Sequence, residues 1–145
     1  MKRGQGMDKL TTDDTFELGN QFRDAATALR DWRMKNRGAL NRAQWDELDD
    51  REIILLNTAS SIYTDAVGLV LNDSQTALAR LRSSVQSAKS AVQRIAIFKQ
   101  ALDLASALIL LAGAVYSGNA AGIPAAILSL EDAADAIVNS EGSGA

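Results

Sequence analysis

The chain's chemistry rests on carboxylates, arginines and lysines, because it contains no cysteine and no histidine. Disulfides, thiolate zinc sites, cysteine nucleophiles and histidine general bases are all excluded together. The carboxylates fall into three clusters: Asp13, Asp14 and Glu17; the run from Asp46 to Glu52; and Glu131, Asp132 and Asp135. Paired carboxylates can exchange protons or hold a metal. A dimetal helical bundle, however, uses Glu-x-x-His on its inward faces, which this chain cannot supply. The first and third clusters read better as solvated or dipole-favoured positions. No metal or other cofactor is expected.

Three further motifs have a plain reading beside a functional one. Glu52 interrupts an apolar stripe, either as a buried partner for Lys99 or Arg94 or as a salt bridge at the rim. The rim is the more ordinary place for a glutamate. The basic run Arg30, Arg33, Lys35, Arg37 and Arg42 could hold a phosphate or a lipid head group, or simply form a solvated helix end. "GNAAG", residues 118–122, matches the G-x-x-x-G of membrane helices, but its asparagine and the nearby Pro124 favour a turn. Phosphate-cradling loops, serine-nucleophile motifs and zinc spacings are absent.

The elements that must position these residues are helices. The 145 residues suit one domain. There is a single proline, few glycines before the C-terminal third, and much Ala, Leu, Gln and Arg. In "TTDDTFELGNQFRDAATALRDWRMKN", Leu18, Phe22, Ala25, Leu29 and Trp32 make one stripe. Thr12 or Asp13 is the expected cap and Gly38 the stop. A second helix opens with Asn41 and Gln44 as a capping box. Its stripe is Trp45, Leu48, Leu55, Ala59, Ile62, Ala66 and Leu69. A third starts near Ser74 and, with nothing to break it, is expected to reach about Tyr116, with only a change of winding near Ile95–Phe98. "SGNAAGI" turns the chain, and Pro124 suits the first turn of a fourth helix.

Length and charge then set an expected arrangement. At 1.5 Å per residue the second helix spans roughly 45 Å and the third roughly 65 Å. Folding the third back along the second would bring Asp46 and Asp50 near Lys99 and Arg94, and Asp65 near Arg80. The predicted fold is all-α: an elongated antiparallel bundle of four helices, with a three-helix body and a projecting C-terminal apolar hairpin. Residues 11–139 form the domain, with flexible tails at 1–10 and 140–145.

The hairpin holds the sequence's most unusual stretch, residues 104–130, which contain no Asp, Glu, Lys or Arg. All fifteen basic residues lie at or before Lys99, and only five acids follow it. An acidic chain with this distribution is not expected to bind nucleic acid. The expected role is non-enzymatic: self-association as a homo-oligomer, or binding of another protein. The anchors would be Leu104, Leu108, Ile109, Leu111, Val115, Ile123, Ile127 and Leu128. The alternative is insertion of the hairpin into a membrane, although arms of about a dozen apolar residues fall short of the ~20 needed to span one. The basic start "MKRGQGMDKL" precedes no apolar segment, so no signal peptide and a cytoplasmic location are expected.

Overall fold

The computed structural model describes residues 7–9, 11–64, 70–72 and 74–142, and the fold is all-helical apart from one short ribbon. Five α-helices are described: α1 (Thr12–Lys35), α2 (Arg42–Thr64), α3 (Ser74–Ala91), α4 (Phe98–Ser117) and α5 (Ile123–Gly142). Strand β1 (Met7–Lys9), placed where a flexible tail was expected, pairs antiparallel with β2 (Val70–Asn72). Of the expected contacts, Asp65 and the stripe positions Ala66 and Leu69 lie outside the described residues.

Local chemistry explains most boundaries. Thr11, rather than Thr12 or Asp13, caps α1: its Oγ1 accepts from Asp14 N, and the Asp14 carboxylate accepts from Thr11 N, each at 3.0 Å. Asn41 and Gln44 form the same reciprocal box ahead of α2. α4 ends on Gly118 at φ 74°. The Asn119 amide donates back to the Ala114 carbonyl and Gly118 to Val115, a Schellman-type ending that needs a left-handed residue. Asn119 Oδ1 then accepts from Gly122 N, so "GNAAG" serves as the turn.

The expected long third helix does not exist. After α3 come one tight 3₁₀ turn (Val92–Arg94) and an extended segment, with Ile95 at ψ 127° and Ile97 at φ −136°, before α4 begins. No glycine or proline marks the site. Trp32 Nε1 of α1 donates to the Ile95 carbonyl that the break frees, at 3.1 Å. Gln100 Oε1 accepts from the Ala96 and Ile97 amides at 2.8 and 3.4 Å. The balance of magnitudes explains the break. A straight rod would carry the hairpin off the body, where eight large buried side chains would lose cover: Leu104, Leu108, Leu111, Val115, Ile123, Ile127, Leu130 and Ile137. At ~1.5–3 kcal/mol each, even half of that burial is of order 10 kcal/mol. The few helical hydrogen bonds forgone are each worth only ~1 kcal/mol net.

The helices close into a ring in the order α1, α2, α4, α5, α3, with α1 and α4 also touching. The partners of α3 on α1 rise together in number: Arg82 with Asp14 and Glu17, Lys89 with Asp24, and Ile95 with Trp32. α3 therefore runs parallel to α1. It packs on α1 and α5, not along α2 as charge complementarity suggested. Asp46 bonds Arg42, Lys99 bonds Asp103, and Arg80 reaches Glu131 of α5. The hairpin is thus one side of the bundle, not a projection from it. One core runs through all five helices, from Leu18 and Phe22 through Leu55, Ile62 and Leu81 to Leu108 and Leu130.

Candidate functional surface

Among the described residues, two places concentrate unusual chemistry. The first is the α1–α2 end. Arg33, on the last turn of α1, is 4% exposed, as is Glu52 of α2. Arg33 Nε and an Nη donate to the two Glu52 carboxylate oxygens at 2.7 and 2.8 Å, and the same Nη also reaches Asp49 at 3.2 Å. The guanidinium lies 4.2 Å from the Trp45 ring centroid, and that of Arg37 lies 5.1 Å away. Glu52 therefore interrupts the apolar stripe as a buried ion-pair partner, and its cation is Arg33, not Lys99 or Arg94. The hydrogen bond to Glu52 raises the Arg33 pKa above its ordinary value, partly opposed by burial. A raised cation stabilises the fold at every pH below its unfolded pKa and is lost only above it. The Arg33 charge thus adds no pH dependence in the neutral range.

This arrangement absorbs much of the basic run. Arg33 is internal, Arg37 stacks on Trp45, and Arg42 bonds Asp46. Arg33 with Glu52 and Asp49 locks α1 to α2, while Arg37 and Arg42 stay exposed at the surface. Among the described residues no group of His, Cys, Asp or Glu side chains is placed to hold a metal ion.

The second place is the outer face of the α4–α5 hairpin. The stretch Leu108-Ile109-Leu110-Leu111 is apolar all round one turn, so a helix with one buried face must leave part of it outside. Leu108 and Leu111 are buried, Ile109 is half-buried, and Leu110 points out with 57% of its surface exposed. Tyr116 of α4 and Leu128 of α5, the latter at 51%, are exposed as well. Ser106, Gly113 and Ser117 share the outer face of α4, and Pro124, Ala125 and Ser129 that of α5. No charge occurs on either arm between Asp103 and Glu131. At Gly113 a Cβ would meet nothing within 4 Å. A mid-helix glycine weakens a helix by roughly 0.5–1 kcal/mol relative to alanine, and the packing of this chain does not call for it.

Of the eight sequence-predicted anchors, six are inside the chain's own core: Leu104, Leu108, Leu111, Val115, Ile123 and Ile127. The surface expected to lie bare at those positions is covered by the rest of the bundle, because the break before α4 folds the hairpin back. Only Ile109, in part, and Leu128 remain accessible. Leu110 was missed, and the four-residue apolar run was the signal for it. Tyr116, where the third helix was expected to end, is 45% exposed.

No protein-family model, curated protein or solved structure matches the chain.

Proposed function

We propose that this protein is a non-enzymatic interaction protein that associates with a second copy of itself through the outer face of α4 and α5. The observation that carries this reading is that the charge-free stretch 104–130 exposes Leu110, Tyr116 and Leu128 and holds, in α4, a glycine that the monomer does not require. Small residues at 106, 113 and 117 let another helix approach closely, and the large ones beside them supply area to bury. The chain carries a net charge of −3, and a face without charge brings no like charges together on pairing.

Light scattering over a concentration series tests it. Association is expected in the native chain and is expected to fall in Leu110→Asp/Leu128→Asp, with the circular dichroism spectrum unchanged because both side chains are already more than half exposed. A chain that stays monomeric throughout, or association indifferent to the double substitution, defeats the proposal. Association only with a different protein through this face would keep the surface and replace the occupant.

A second reading has one observation behind it. α4 is 20 residues long with a mean hydropathy of 1.5 over its best window, enough by length and composition to cross a membrane. Insertion would require the hairpin to leave the bundle. Flotation with vesicles containing anionic lipid decides between the two: no flotation at any pH removes the membrane reading.

A further inference from the structure

We infer that residues 92–97 are a domain-exchange hinge, through which two copies of this chain trade their α4–α5 hairpins. The inference does not depend on the outer face described above.

Four observations lead to it. The segment Val92-Gln93-Arg94-Ile95-Ala96-Ile97 contains neither glycine nor proline, so nothing in it opposes a helix continuous from Ser74 to Ser117. The break is held from outside the segment, by Trp32 of α1 at the Ile95 carbonyl and by Gln100 at the Ala96 and Ile97 amides. The hairpin's seat on the body is mainly apolar burial, with Arg80–Glu131 as an ion pair across the seam. That seat is equally available on another copy's α1, α2 and α3. In an exchanged dimer each α3 and α4 join into one rod, and each hairpin rebuilds on the partner the same contacts it leaves in its own chain. Exchange of an identical element is a low-cost route to dimers. Here the rod also regains the helical hydrogen bonds that the break forgoes. What the exchange loses is the Trp32 and Gln100 bonds and the freedom of two independent chains.

The absence of cysteine makes the test clean. Arg80 Nη2 and Glu131 Oε1 lie 3.1 Å apart across the seam between body and hairpin. Chains bearing Arg80→Cys and chains bearing Glu131→Cys, one of them tagged, are mixed, unfolded together, refolded at high concentration and treated with a short bismaleimide. Leu110→Asp is present in both, to remove pairing through the outer face. A tagged–untagged cross-linked species on a denaturing gel is expected, and mixing without unfolding should give little of it. Trp32→Phe keeps a ring in place but removes the N–H that holds the break. It should raise the yield by roughly fivefold or more, the effect of leaving one buried carbonyl unpaired in the unexchanged chain. Gln100→Ala, on the exposed first turn of α4, should act in the same direction and serves if Trp32→Phe folds poorly. Phe98→Pro should abolish the species. Proline suits the first position of α4 after extended Ile97 but cannot sit inside a continuous rod. No heterotypic cross-link in any variant, or an equal yield in Phe98→Pro, overturns the inference.

Discussion

The chain reverses direction twice in its C-terminal half, and the two reversals are made in opposite ways. The α4–α5 turn is built from its own residues: Gly118 in the left-handed region, Asn119 bonding Gly122, and Pro124 just inside α5. The α3–α4 break has none of these. It borrows an indole N–H from α1, 63 residues away in sequence, and a glutamine from the helix that follows. The first would form a turn in almost any context. The second exists because the hairpin has a body to lie on. A helix end can be encoded locally, or it can be the by-product of burial elsewhere.

The strongest way to break this comparison is to weaken the seat. Leu108 is fully buried on the inner face of α4. Leu108→Ala should destabilise the protein by about 2–5 kcal/mol through lost transfer energy and a cavity. Amide exchange should then accelerate more at residues 95–97 than at 119–122. Equal acceleration would show that the break is as self-sufficient as the turn. Trp32→Phe acts first on the break, and also trims a side chain of the core. It leaves the buried Ile95 carbonyl without its donor, at a cost of about 1–3 kcal/mol. Chemical denaturation should register that loss, while exchange at the α4–α5 turn stays as it was.

The same contrast marks how far the sequence could be read. The all-α class, the Asn41 box, the start near Ser74 and the turn at 117–123 all rest on signals within a few residues of each other. Local signals survive to within a few residues: the α1 cap falls on Thr11 and its end on Asn36 rather than at Gly38. What was not legible depended on partners distant in sequence. Arg33 and Glu52 come from different helices, and neither shows alone that the other neutralises it. The break at 92–97 requires knowing that Trp32 will arrive there, although Gln100 three residues after Ile97 resembled a weak cap and was a missed hint. The anchors then moved indoors, because a straight rod and a folded one assign the same leucines to water and to core. Pairing α2 with α3 failed for a related reason. Exposed ion pairs are worth only ~0–1 kcal/mol, so complementary charge does not choose neighbours when the burial of whole helix faces is at stake.

Two smaller substitutions sharpen the comparison from its other side. Gly118→Ala places a Cβ at φ 74°, which should cost about 1–2 kcal/mol from the left-handed geometry alone, since nothing lies within 4 Å of the added atom. That loss should appear at the turn and leave the break untouched. Gln100→Ala is the mildest test and the most informative about hierarchy. Its carbonyl oxygen satisfies two amides at an exposed helix start, and removing an exposed cap of this kind costs about 0.5–1 kcal/mol. If burial rather than capping sets the break, Gln100→Ala should lower the denaturation midpoint only slightly and leave the Trp32 fluorescence of the folded state as it is. The indole would still bond the Ile95 carbonyl inside a seated bundle. A shifted Trp32 emission in Gln100→Ala, with native-like helicity, would mean that the local cap positions the break and that the hairpin follows it.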